Sequence, residues 1–171
     1  MTSGTPKFVS SLIVESGGKI VGRTRLQKMV CMLSIAGLDV GFDFSYHHYG
    51  PYSEDLSLAV SDADALGLLD EAECQTEWGG RYSVFEANDG EVVDAEITAA
   101  SPLLRVMCNA DSVELELAVT AAFLNACGEE NPWEEVRRRK SQKATVLRVR
   151  NAQELYSKIR DANPFNALPT L

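Results

Sequence analysis

Three apolar stripes at helical spacing, each closed by glycine, precede a single Gly-Gly turn, and this succession constrains the fold most. In the first, Lys7 to Ser16, the side chains of Phe8, Leu12 and Ile13 share a face, and Gly17-Gly18 stops the helix. In the second, Thr24 stands as a cap, Leu26, Met29, Val30 and Leu33 follow at i, i+3, i+4, i+7, and Gly37 ends the run. In the third, Ser53 caps a helix with Glu54 and Asp55 in its first turn, where carboxylates suit the helix dipole. Leu56, Ala59, Val60 and Ala63 form its apolar face, and Gly67 closes it. Two arms, Leu68 to Gln75 and Arg81 to Phe85, then flank Trp78-Gly79-Gly80, a hairpin signal. Helix, helix, helix, hairpin predicts a winged-helix-like module with a β-hairpin wing over residues 1–90.

Beyond a break at Asn88-Asp89-Gly90 the pattern is helical from Glu91. Ser101-Pro102 opens one segment, and Asp111 caps another carrying Val113, Leu117, Ala121 and Leu124. Asn131-Pro132 opens a short helix with Glu134 and Glu135 in its opening turns. Thr145 caps a last helix using Val146, Val149, Leu155 and Ile159. The expected class is mainly α (α+β), with a helical region, residues 91–171, packing on the first module. An apolar content of 45% lets 171 residues bury a core as one domain or two small ones. Residues 1–6 and 162–171 read as loose tails.

No apolar run reaches the length of a membrane span, and no basic flank precedes an apolar stretch at the start. Cys31, Cys74, Cys108 and Cys127 form no CxxC pair, so neither a disulfide framework nor a zinc site is expected. Cys31 and Cys127 sit in apolar helical patterns, where a free thiol acts as a small hydrophobe. Free thiols imply a reducing compartment, hence the cytoplasm.

The sequence holds no GxSxG, P-loop or GxGxxG, which predicts neither an enzyme nor a cofactor. His47 and His48 are the only histidines, and in an extended stretch they point to opposite faces, so no metal site is expected. Glu129-Glu130 and Glu134-Glu135 read as charge at helix starts. Tyr46, His48, Tyr49 and Tyr52, around the rigid Gly50-Pro51, form a candidate recognition surface, because tyrosine joins apolar area to a polar tip. Arg25 and Lys28 share a helix face with Arg23 nearby; they either pair with acidic surface neighbours or bind an acidic partner segment. Residues 137–150 carry seven basic side chains (Arg137, Arg138, Arg139, Lys140, Lys143, Arg148 and Arg150) and no acidic one. Such a run is either a solvated helix face or a site for phosphate or an acidic partner.

Charge distribution separates two functions. A winged helix that reads DNA sends its third helix into the major groove. Here that helix carries Glu54, Asp55, Asp62 and Asp64 and no Arg or Lys, and residues 1–90 hold six basic and thirteen acidic side chains. Phosphates repel such a surface. The expectation is therefore a non-catalytic protein-binding module; the alternative is a DNA-binding regulator acting through residues 137–150.

Two stretches resemble a known family. Gly22-Arg23-Thr24-Arg25-Leu26-Gln27-Lys28-Met29 and Tyr46-His47-His48-Tyr49-Gly50-Pro51-Tyr52-Ser53, followed by an apolar helix and Leu66-Gly67-Leu68-Leu69, resemble the bacterial Panacea domain of SocA-like antitoxins. With the later hairpin they are closer still to YwgA-like proteins. The likeness covers residues 8–90 well and 111–160 more loosely, through Pro132-Trp133-Glu134-Glu135-Val136 and the basic run. It implies a protein partner, a toxin or a substrate delivered to a protease, and supplies no catalytic residue. A homodimer is compatible with it.

Overall fold

The computed structural model describes residues 2–88, 90 and 94–171. Its elements run α1 (Pro6–Glu15), β1 (Lys19–Val21), α2 (Arg23–Ala36), β2 (Ser45–His47), β3 (Gly50–Tyr52), α3 (Glu54–Ala65), β4 (Leu69–Gln75), β5 (Arg81–Ala87), α4 (Ala95–Ala99), α5 (Ser101–Cys108), α6 (Ser112–Ala126), α7 (Pro132–Arg139) and α8 (Val146–Ala162). The class is mixed α+β, with two small antiparallel sheets, β1-β5-β4 and β2-β3.

Local chemistry sets most boundaries. Ser53 accepts from the Leu56 amide, Asp111 from Val113 and Glu114, and Thr145 from Arg148, each satisfying amides that a helix start leaves without partners. The start of α2 departs from expectation. Gly22, not Thr24, occupies its N-cap and makes no side-chain cap. The Gly22 amide instead donates to Ser83 O at 2.8 Å, so the chain passes straight from the β1 ladder into the helix. Strand β1 itself was not foreseen: three residues align as Lys19↔Glu86, Ile20↔Phe85 and Val21↔Val84. The hairpin β4–β5 falls where the Gly-Gly turn places it, with Trp78 94% exposed at its tip. Residues 91–93, where the helical pattern was expected to begin, and Asp89 of the expected break lie outside the described residues. The next helix, α4, starts behind an Asp94 cap.

The terminal segments are docked, contrary to their composition. Gly4 N donates to Val40 O, and Thr2 hydrogen-bonds Asp94. At the other end Asn166 N donates to Ala36 O, Tyr156 donates to Pro169 O, and Leu168 is buried. Cys127 is also corrected: it lies at the C-cap of α6 and is exposed, whereas Cys31 is buried as expected.

Helix α6 is the centre of the packing. The expected stripe was one-sided, but every residue from Leu115 to Ala122 is buried, and α2, α7, α8 and β3 pack around it. A helix covered on all sides is apolar on all sides, and here the exceptions are Glu116 and Thr120. One cluster of buried side chains takes in α1, α2 and α3 together with α5, α6 and α8. Among the described residues no helix is long and apolar enough to cross a membrane.

Candidate functional site

The aromatic stretch folds back on itself instead of running extended. β2 and β3 pair as Ser45↔Tyr52, Tyr46↔Pro51 and His47↔Gly50, with His48 and Tyr49 at the turn. Gly50 carries the positive φ (+86°) that closes this hairpin. A Cβ there would lie 2.6 Å from Thr120 Oγ1 on α6, so glycine also permits the close approach of hairpin and helix.

Beneath the turn lies a buried group of charges that sequence reasoning did not assemble. Lys28 from α2 donates to Pro51 O at 2.7 Å. Lys140, at the end of α7, donates to Glu116 Oε1 at 2.7 Å and to His48 O at 3.5 Å. Lys143 donates to Glu116 Oε2 at 2.8 Å. The Lys140 and Glu116 side chains are each 4% exposed, so this ion pair is out of water. Burial alone would raise the Glu116 carboxyl; hydrogen bonds and charge from Lys140 and Lys143 outweigh it and hold the pKa below the usual value. Burial pulls the Lys28 ammonium down to about 8, against the opposing field of Glu116. Burial likewise pushes the Cys31 thiol, one turn along α2, up to about 12, so it is not a poised nucleophile.

Above this layer the surface is aromatic and cationic. Tyr49 is 63% exposed, with the Lys143 ammonium 5.1 Å from its ring centroid. Tyr46 is half-buried beneath the Arg139 guanidinium, 4.6 Å from its ring. Arg138 and Arg139 both hydrogen-bond Glu135, and these bonds bring its carboxyl down to about 2. His48 is exposed, and the Tyr52 hydroxyl shares a 2.6 Å hydrogen bond with Ser57.

The expected residues thus divide by role. Tyr46, His48, Tyr49, Arg138 and Arg139 come together at the surface, and Arg137 is exposed elsewhere on the same helix. Lys28 and Lys140 do not: the structure places both inside, away from the surface carboxylates. Arg25 reaches the C-terminal end of α5, donating to Met107 O at 2.9 Å and Ala110 O at 2.8 Å. Its companion Arg23 ion-pairs with Glu71. The basic run is largely compensated within the chain, by Glu135 for two arginines and Glu116 for two lysines. Arg137, Arg148 and Arg150 make no ion pair among the described residues. The residue that sequence reasoning missed is Glu116. Its signal was a carboxylate and a threonine one turn apart inside the otherwise apolar stretch Leu115 to Ala122.

No protein-family model matches the chain, and no solved structure matches it. The chain is similar to a Bacillus subtilis protein described as "Uncharacterized protein YwgA", 28% identical over 130 residues that span 72% of this chain and 77% of that protein. This similarity supports the YwgA-like part of the resemblance carried by the Leu26-Gln27-Lys28 and Tyr49-Gly50-Pro51 stretches.

Proposed function

We propose that the chain is a non-catalytic protein-binding module of the antitoxin or adaptor kind, with a winged-helix N-terminal half. Its partner face is the tip of the β2–β3 hairpin together with the exposed edge of α7. One observation carries this reading: Tyr49 is 63% exposed on a turn whose backbone is held from below by Lys28 and Lys140. An aromatic side chain on a fixed backbone offers large contact area while losing little freedom on binding. Arg137 and Arg138 are both exposed on α7 and suit an acidic partner segment. The winged-helix reading is supported by β1, which joins the hairpin β4–β5 as a third strand beside three helices.

DNA reading is disfavoured by the same surface logic. Helix α3 exposes Glu54, Asp55, Asp62 and Asp64 and offers no cation to a phosphate.

The test places a photo-cross-linking phenylalanine at position 49, with position 58 on α3 as the control. The cross-linked protein is identified, purified and titrated with wild type, Tyr49→Ala and Arg137→Glu/Arg138→Glu. We expect a dominant adduct from position 49 and an affinity loss of about tenfold or more in both variants at unchanged melting temperature. Wild-type affinity in both variants would refute the assignment, as would nanomolar retention of duplex DNA at physiological salt with no protein adduct.

A further inference from the structure

A cleft of about 270 Å³ opens between α2, α3 and the β2–β3 hairpin. Its floor is apolar: Leu26, Leu56, Val60 and Phe85 line it, all buried. Its wall is a fixed polar network. Gln27 donates to Ser53 O at 2.9 Å and to Ser57 Oγ at 3.1 Å, accepts from the Ser53 amide, and Ser57 meets the Tyr52 hydroxyl. Lys28 is also part of the lining.

Lys28 is the unusual member. An ammonium has three N–H donors, and among the described residues Pro51 O takes one of them and no carboxylate pairs with it. Both oxygens of Glu116, the nearby buried carboxylate, are engaged by Lys140 and Lys143. A cation 1% exposed, with Glu116 acting on it only from a distance and no carboxylate in contact among the described residues, is costly unless an anion can reach it. We infer that the cleft binds a compact apolar carboxylate, its hydrocarbon part on the Leu26–Leu56–Val60–Phe85 floor and its charge against Lys28.

The chemistry narrows the ligand class. At 270 Å³ the cleft lies at the small end of ligand pockets and excludes a nucleotide. A single available cation suits a monoanion. The other cation at the rim, Arg23, is already paired with Glu71, whose carboxylate would repel a phosphate dianion. A branched or aromatic acid meets both requirements, whether it is a free small molecule or the terminal residue of a peptide. This inference goes beyond the partner face and does not depend on it.

The full chain is titrated calorimetrically at pH 8 with phenylacetate and phenylacetamide, and with acetyl-Ala-Ala-Phe as acid and as amide. At least one acid should bind with 1:1 stoichiometry, its amide about tenfold or more weaker. Binding of the free acid names a small molecule as the source, and binding of the peptide acid alone names a chain terminus. The Lys28 pKa near 8 leaves it about half protonated there, so binding should draw about half a proton from the buffer, read from heats in two buffers of different ionisation enthalpy. Lys28→Met should abolish binding, and Ser61→Trp, an exposed lining position, should block it without touching the core. If Lys28→Met does not fold, Ser61→Trp and the proton uptake decide. The inference is overturned if neither acid binds up to about 10 mM, if acid and amide bind equally, if a folded Lys28→Met variant binds like wild type, or if binding draws no proton and survives Ser61→Trp.

Discussion

Replacing Glu116 by Gln tests whether the buried charges hold the hairpin. The substitution keeps the side-chain shape and removes the carboxylate that, among the described residues, neutralises Lys140 and Lys143. The two lysines do not lose equally. Lys143 is 37% exposed and can swing toward water, so its share is discounted to near zero. Lys140 is 4% exposed and cannot, so it is left as a buried unpaired ammonium. Breaking a buried pair from one side costs about 3–5 kcal/mol, a large part of the roughly 5–15 kcal/mol that holds a domain together. Urea unfolding followed by circular dichroism at pH 7 should show this loss, and Glu116→Gln/Lys140→Met should recover most of it. The pH dependence has a definite sign. Because the folded Glu116 pKa lies below its ordinary value of 4.5, its contribution is fully present above that pH and is lost as pH falls through the folded value. Glu116→Gln should flatten that part of the acid limb. A loss below about 1 kcal/mol, or a double variant as unstable as the sum of the singles, would show that the charges are not coupled.

Two further outcomes follow from the same region. Gly50→Ala meets both a left-handed φ, worth about 1–2 kcal/mol for a side chain, and Thr120 Oγ1 at 2.6 Å, so unfolding should show a loss of at least about 2 kcal/mol, part of it regained in Gly50→Ala/Thr120→Ala. For Lys28, the folded pKa near 8 lies below the ordinary 10.5, so its burden on the fold is complete below pH 8 and lifts as pH rises toward 10.5; wild type should gain up to roughly 3 kcal/mol relative to Lys28→Met across that window, and a constant difference would contradict the burial.

The helices were legible because their signals are local. Ser53, Asp111 and Thr145 cap, Gly37 stops, and apolar spacing marks the buried face within one or two turns, except at Val146, which was expected on that face and is exposed in the first turn of α8. Strand β1 was not, because three residues have no periodicity of their own and become a strand only by pairing with β5, some sixty-five positions later. The hairpin β2–β3 was read as extended because its turn residues are His48 and Tyr49, which give no turn signal; the glycine that closes it follows them. Lys28 misled for a related reason. On a helix wheel a lysine among arginines reads as surface, and only the arrival of β3 and α6 over α2 buries it. The docked tails are another long-range effect: Asn166 finds the free carbonyl of Ala36 at the end of α2, a partner that composition cannot show.

The placement of two lysines, Lys28 and Lys140, under one turn has a physical origin in the backbone itself. Folding the hairpin against α2, α6 and α7 turns the carbonyls of His48 and Pro51 inward, where each needs a donor. Within a helix the backbone amides are committed to their own helical bonds, so the side of a helix offers donors only through its side chains. A lysine reaches from one helix turn away and donates at its tip, so Lys28 and Lys140 supply what a helix surface otherwise lacks. The cost is buried positive charge, and Glu116 offsets it for Lys140 and Lys143. Lys28, whose Cε approaches Gly50 beside the Lys140 ammonium, is left among the described residues with the Pro51 carbonyl as its hydrogen-bond partner and borders the cleft. The exposed Tyr49 and the under-coordinated Lys28 are therefore two consequences of one demand, that the inward carbonyls of a tight turn be satisfied where water does not reach.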